Sequence, residues 1–160
     1  MRRALLVLPL FLFGCQPADD DDDTPTPGPT GEAPVLQSVT VCEVANSRDT
    51  CRDQGVDGAL RIAFDINVTD VDGDLDNPQY FILLNEQTPW LDGRYEGNLG
   101  DGGRLRVQLG CNYYALGADL PWRFAIRDAE GNESEEAVGS FPIADDDVGP
   151  NDPGACPPLM

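Results

Sequence analysis

The residues best placed to do chemistry are four aspartates that alternate along one short segment. Asp70, Asp72, Asp74 and Asp76 occur in the run Asp-Val-Asp-Gly-Asp-Leu-Asp. Calcium takes six to eight oxygen ligands, and alternating aspartates around a glycine can turn several carboxylates toward one point. The run lacks the later glycine and the final glutamate of an EF-hand loop, so that motif is excluded. Two interpretations remain: a calcium site, or a solvated acidic turn between two strands.

A second set of candidates is aromatic. Trp90, Tyr95, Tyr113 and Tyr114 fall in turn-rich segments rather than on the alternating face of a strand. Exposed aromatic side chains in loops can stack on sugar rings or anchor a protein partner. Aromatic side chains can equally fold back over the ends of a β-fold and serve packing alone. The sequence leaves both interpretations open.

The N-terminus has the pattern of a secretory signal. A basic start is followed by an apolar run of about ten residues, which is well below the ~20 residues of a membrane-spanning helix. The run ends in Leu12-Phe13-Gly14-Cys15, which resembles the bacterial lipobox, where the cysteine is diacylated and becomes the new N-terminus. The resemblance implies a signal peptide over residues 1–14 and a lipid anchor at Cys15. Gln16 at the following position favours the outer membrane of a Gram-negative bacterium by the sorting rules of such lipoproteins.

Four cysteines remain once Cys15 is set aside, an even number that suits an oxidising compartment. Cys42, Cys51, Cys111 and Cys156 allow three connectivities. We expect Cys42–Cys51 and Cys111–Cys156, because the first pair closes a short polar loop that is typical of a turn. Metal binding by these cysteines is the alternative, but no C-x-x-C spacing supports it.

Charge and composition narrow the classes of function. The formal charge is -19, there is no histidine, and every cation is an arginine. No basic stripe exists to neutralise phosphates, which excludes nucleic acid, and the charge disfavours direct docking on anionic lipid. Divalent metals and polycations are the natural counter-charges. The absence of histidine removes Ser-His-Asp and Cys-His catalysis, so we expect no enzyme.

One enzymatic alternative needs no histidine. A pair of carboxylates can hydrolyse glycosides, so a carbohydrate-active enzyme or an accessory carbohydrate-binding domain stays open. A cleft that holds two carboxylates near Trp90 would favour it. A flat surface would favour a binding or structural module.

Period-two alternation dominates the chain from Val35 onward. In the clearest case the apolar side chains at Leu60, Ile62, Phe64, Ile66 and Val68 alternate with polar ones. Similar runs occupy residues 80–84, 105–109, 122–126 and 137–143, with turn clusters at residues 70–77, 91–103 and 128–134. No window shows helical spacing. The pattern predicts a single antiparallel β-sandwich of about seven strands over residues 35–144.

The flanking segments differ sharply from this domain. Residues 15–34 contain an unbroken aspartate run and then a Pro-, Thr- and Gly-rich stretch, which is typical of an extended, disordered tether. Residues 145–160 form an acidic, Gly- and Pro-rich tail, which we expect Cys156 to pin to the domain.

Two segments resemble known families of surface domains. The stretch from Trp122 to Ser134, which contains Asp-Ala-Glu-Gly-Asn-Glu-Ser, resembles the last hairpin of bacterial immunoglobulin-like and fibronectin type III-like domains. The stretch from Val68 to Leu75 resembles the acidic turn of cadherin-like repeats. The resemblance implies an immunoglobulin-like β-sandwich that serves as a non-catalytic binding or structural module, with a protein or glycan partner in the cell envelope.

Overall fold

The computed structural model describes residues 31–157. The predicted signal peptide, the lipidation site Cys15 and the tether up to residue 30 lie outside the described residues. Within residues 31–157 the elements are β1 Val35–Glu43, α1 Ser47–Asp53, β2 Ile62–Thr69, β3 Gln79–Leu84, β4 Leu91–Arg94, β5 Gly102–Gln108, β6 Asp119–Arg127 and β7 Ala137–Pro142. None of these elements is a helix with the length and apolarity needed to cross a membrane.

The seven strands form two antiparallel sheets, ordered β1-β2-β5 and β4-β3-β6-β7. In the first sheet, Ile66 of β2 lies between Val39 and Leu105. In the second, Phe124 of β6 lies between Ile82 and Ala137. The prediction of an antiparallel immunoglobulin-like β-sandwich is confirmed. The fourth strand extends the sheet of the third, whereas constant-type immunoglobulin domains place it in the opposite sheet.

The core between the sheets is aromatic at its centre. Phe64 of β2 meets Trp122 edge-on at 5.7 Å between ring centroids and stacks on Phe124 at 5.9 Å. Gly139 lies opposite Trp122 on β7, and a Cβ there would come within 2.4 Å of the indole ring. The Trp122 ring therefore occupies the space that a side chain at position 139 would need. Edge-to-face and offset stacked pairs of this kind add stability beyond the area they bury.

Two predicted turn segments contain regular elements. The polar loop predicted between Cys42 and Cys51 contains the first part of α1 (Ser47–Asp53), and β4 lies inside the predicted turn over residues 91–103. Seven residues make only about two helical turns, too few to produce a recognisable apolar period. A four-residue edge strand with mostly exposed side chains gives just as little alternation. These two predictions were wrong because the elements are short.

The predicted disulfide pairing is also wrong. Cys42 bonds to Cys156 with 4.9 Å between Cα atoms, and Cys51 bonds to Cys111 with 5.7 Å. Both distances are typical of disulfides. α1 carries Cys51 away from β1 and buries it next to the segment that follows β5. The supposed short loop between Cys42 and Cys51 therefore cannot close on itself.

The C-terminal tail completes the end of the sandwich that carries α1. The Glu43 N–H donates to the Gly154 carbonyl at 3.0 Å, and the Cys156 N–H donates to the Glu43 carbonyl at 2.8 Å. Arg48 of α1 donates to two tail carbonyls, those of Ala144 and Asp145. We call this end, built from α1, both disulfides and residues 144–157, the disulfide end. The tail is pinned by Cys156, but to β1 rather than to Cys111.

Candidate metal centre

Three aspartates converge at the opposite end of the sandwich, which we call the acidic end (residues 70–77 and 128–133). Asp70 directly follows β2, Asp74 lies in the β2–β3 loop, and Asp128 directly follows β6. Each offers a carboxylate oxygen, and these oxygens all lie within 4.8 Å of one another. The C-terminal ends of β2 and β6 thus bring together residues that are far apart in sequence.

The carboxylates at this point are poorly satisfied. Asp70 is 3% exposed, yet its Oδ2 has no hydrogen-bond partner. Both carboxylate oxygens of Asp74 are likewise enclosed, and no N–H or hydroxyl group within residues 31–157 donates a hydrogen bond to them. None of the ion pairs within residues 31–157 involves Asp70, Asp74 or Asp128. Buried carboxylates are normally paired with a cation or coordinate a metal, so this arrangement calls for a positive charge.

Repulsion among these neighbouring carboxylates changes the protonation of Asp74. The hydrogen bond that a protonated Asp74 can make with Asp70, together with burial and the negative charges of Asp128, Asp70 and Glu130, raises the pKa of Asp74 to about 7. A shared proton between Asp70 and Asp74 is one way to relieve repulsion between neighbouring carboxylates. A divalent cation is the other, and it would neutralise more charge.

Asp128 is held in place by its own turn. Its Oδ1 accepts hydrogen bonds from the N–H groups of Gly131 (2.7 Å) and Asn132 (2.8 Å), and its Oδ2 accepts one from the Asn132 side chain (2.9 Å). Gly131 has a φ of 98°, which glycine adopts without strain. A carboxylate has about four acceptor sites, so this turn fixes Asp128 while leaving capacity for a further ligand.

The four aspartates singled out by spacing do not act together. Asp70 and Asp74 belong to the cluster, whereas Asp72 and Asp76 are exposed and have other partners. The Asp72 carboxylate accepts a hydrogen bond from the Glu32 N–H. The Asp76 carboxylate accepts one from the Asn77 side chain at 3.0 Å. The third member, Asp128, begins the Asp-Ala-Glu-Gly-Asn run, which sequence reasoning used only to identify a hairpin.

The donor set suits a hard cation. Ligand oxygens lie 2.3–2.6 Å from calcium, so two on opposite sides of the ion are about 4.6–5.2 Å apart. The spacing among Asp70, Asp74 and Asp128 is compatible with that sphere. Carboxylates without sulfur or imidazole favour calcium or magnesium over zinc. The three side chains could hold a divalent cation whose remaining ligands are waters.

The four aromatic candidates are not brought together. Tyr95 and Tyr114 pack against the core, and burial raises the pKa of Tyr114 to about 12. Tyr113 is exposed in the loop between β5 and β6. Trp90 differs, because it lines an open groove of about 400 Å³ on the outer face of the β4-β3-β6-β7 sheet. The groove is also lined by Phe81, Asp92, Arg127, Glu133 and Glu136.

Comparison with known proteins does not assign the chain to a family. No family model matches the chain, and no curated protein matches its sequence. One solved structure found by the comparison is the PKD domain of an M14-like peptidase from Thermoplasmatales archaeon SCGC AB-540-F20. The match is 13% identical, covers 72% of this chain and 99% of that domain, and has a TM-score of 0.43. This TM-score is too low to carry an argument, so the fold rests on the strand order and pairing described above.

Proposed function

We propose that this protein is a lipid-anchored module of the cell envelope, without catalytic activity, whose immunoglobulin-like domain binds one calcium ion at the acidic end. The observation that carries the calcium site is the convergence of Asp70, Asp74 and Asp128, in which buried oxygens of Asp70 and Asp74 receive no hydrogen bond from an N–H or hydroxyl group of the described chain. The ion joins the β2–β3 loop to the β6–β7 turn. It therefore acts as a removable cross-link between the two sheets.

The proposed anchor is a separate element with its own support. The lipobox-like sequence at Leu12 to Cys15 supports lipidation, and the acidic, proline-rich segment that follows supports a spacer between membrane and domain. Millimolar affinity is common among extracellular calcium modules. A site of that strength would be loaded in a calcium-rich surrounding and would order the end of the domain that faces away from the tail.

The groove at Trp90 bears on the carbohydrate-active alternative, since it places carboxylates near an indole ring. Glu133 is paired with Arg127 at 2.7 Å, and Glu136 with Arg123 at 3.4 Å. Asp92 is the groove carboxylate that forms no ion pair within residues 31–157. Glycoside hydrolysis needs an acid and a second carboxylate that flank the scissile bond. With two of the three carboxylates engaged by arginines, the geometry supports binding better than hydrolysis.

A melting experiment tests the calcium site. Thermal unfolding of the mature domain would be compared in calcium and in chelator, with magnesium as a second ion. A ligand that binds only the folded state at ten times its dissociation constant adds about 1.4 kcal/mol. Asp128→Asn keeps the Oδ1 acceptor of the turn but removes the charge, so this variant should lose most of the calcium response. Asp76→Asn is the matched control and should keep it.

Two results would count against the site. An equal calcium response in wild type, Asp128→Asn and Asp76→Asn would show general screening of an acidic chain. No response in any of them would show that the cluster does not bind calcium.

The anchor is tested by a different substitution. Cys15→Ser should leave the signal uncleaved or release the protein into soluble fractions, because lipidation needs the thiol. A correctly processed Cys15→Ser protein that still partitions with membranes would contradict the lipoprotein proposal.

A further inference from the structure

The groove at Trp90 has a feature that neither the calcium site nor the anchor uses: it combines aromatic rings with an excess of carboxylates. Asp92 lies opposite Phe81 on the neighbouring strand. Trp90, which directly precedes β4, lines the same groove as Asp92 and Phe81. Asp92 therefore shares this groove with two aromatic rings, on the solvent side of the β4-β3-β6-β7 sheet.

One of the two aromatic rings in the groove, that of Phe81, is already covered by a cation from the chain itself. The guanidinium of Arg127 lies over the Phe81 ring, with 4.7 Å from Cζ to the ring centroid. The same guanidinium donates to Glu133 at 2.7 Å. An aromatic ring and a carboxylate thus hold one arginine side chain in the groove. Cation–π contacts of this kind contribute about 0.5–1 kcal/mol at exposed sites.

The Trp90 ring and the Asp92 carboxylate have no such cation within residues 31–157. No arginine in that range pairs with Asp92 or lies over the ring of Trp90 as Arg127 lies over Phe81. Indole is the best of the aromatic rings for binding a cation. The lining carries three carboxylates (Asp92, Glu133 and Glu136), of which Glu133 is paired with Arg127 and Glu136 with Arg123, so one negative charge is left without a cation from the described chain. The groove is therefore net negative on a chain that is itself strongly acidic.

We propose that this groove binds an arginine or lysine side chain presented by a peptide segment of another envelope protein, with the cation over Trp90 and paired with Asp92. Charge complementarity selects this occupant: a negative groove on an acidic domain attracts a cationic segment and disfavours an acidic one. A volume of about 400 Å³ is sufficient for one long side chain and the flanking backbone. The proposal does not depend on calcium at the acidic end, whereas the assignment of the partner to the envelope rests on the proposed lipid anchor.

The test uses the two indole N–H signals of the mature domain in a proton–nitrogen NMR spectrum, since the chain has two tryptophans. The signals are assigned with a Trp122→Phe variant. The probes are acetyl-Gly-Arg-Gly-amide, its lysine counterpart and its citrulline counterpart, which keeps the shape of arginine but not the charge. The arginine and lysine peptides should shift the Trp90 signal and leave Trp122, which lies in the core, unchanged. The citrulline peptide should shift neither signal.

Variants separate a specific site from general attraction to an acidic chain. Trp90→Ala and Asp92→Asn should each weaken arginine-peptide binding by at least about threefold, as measured by calorimetry or by backbone shifts near Phe81. Tyr113→Ala removes an exposed aromatic ring elsewhere, and Asp119→Asn removes an exposed charge elsewhere. Both controls should bind as the wild type does.

Several outcomes would overturn the proposal. Equal shifts from the arginine and citrulline peptides would show that charge plays no part. Unchanged affinity in Asp92→Asn or Trp90→Ala would place binding elsewhere. A shift of the Trp90 signal by a neutral hexasaccharide such as cellohexaose, with none from the peptides, would assign the groove to carbohydrate. Since all titrations are repeated in chelator, failure here would leave the calcium proposal untouched.

Discussion

The two ends of the sandwich bury carboxylates in opposite ways. At the disulfide end, Glu43 is fully buried and its Oε1 is 3.4 Å from the guanidinium of Arg48. At the acidic end, Asp70 is almost as deeply buried, but its charged neighbours are Asp74 and Asp128. One end supplies its own counter-charge and is closed by covalent bonds. The other lacks a counter-charge from within the described chain, so its stability should depend on protons or cations bound from solution.

The largest effect should come from opening the disulfide end. The Cys42–Cys156 bond closes a separation of 114 residues, and its loss as Cys42→Ala/Cys156→Ala should lower the free energy of unfolding by about 4 kcal/mol. Cys51→Ala/Cys111→Ala, with a separation of 60, should give a similar loss in denaturant unfolding. Calcium should stabilise both variants by no more than it stabilises the wild type, because its site lies at the opposite end. Peptide mapping that linked Cys42 to Cys51 would contradict this account.

The next effect comes from the counter-charge at the same end. Arg48→Met leaves the buried Glu43 carboxylate without its cation, which should reduce the free energy of unfolding by about 3 kcal/mol. Adding Glu43→Gln should recover much of this loss, because the uncompensated charge is then gone. A double variant no more stable than Arg48→Met would show that Arg48 acts through its bonds to the tail carbonyls rather than through Glu43.

The pH dependence of that pair has a definite sign. Burial raises the pKa of Glu43 above its ordinary value of 4.5, although Arg48 opposes the shift. The folded state then binds the proton more tightly than the unfolded state does. Below about pH 4.5 Glu43 is protonated in both the folded and the unfolded state, so its raised pKa does not lower the free energy of unfolding. That free energy falls as pH rises through the folded pKa. Glu43→Gln should remove this fall from a series of unfolding curves, whereas Glu96→Gln, an exposed control, should not.

A feature at either end could be predicted from the sequence only where it depends on residues that are neighbours along the chain. Alternation along a strand is local, so residues 60–68 were enough to identify β2 and, with the similar runs, a sandwich. Disulfide pairing depends on where α1 places Cys51, and alternation of apolar residues does not predict the position of that short helix. Asp70 and Asp74 could be singled out because they are neighbours in sequence. Asp128 could not, since only the alignment of β2 with β6 brings it to them.

A smaller effect distinguishes the acidic end. In chelator above pH 7, where Asp74 is ionised, Asp74→Asn should stabilise the domain by on the order of 1 kcal/mol, because it removes one of three mutually repelling charges. The same variant should be less stable than the wild type once calcium is added. Asp72→Asn, in the same loop but outside the cluster, should show neither change. Destabilisation by Asp74→Asn in chelator would mean that its carboxylate holds the loop through contacts other than the cation.

Direct calcium binding tests the central claim most plainly. Calorimetric titration of the mature domain should show one calcium per chain. Asp128→Asn should weaken the affinity by about tenfold or more, because the ligand charge falls, while Asp76→Asn should change it less than about twofold. That result would establish a cation site shared by the β2–β3 loop and the β6–β7 turn. Absence of binding, or binding that Asp128→Asn leaves intact, would contradict it.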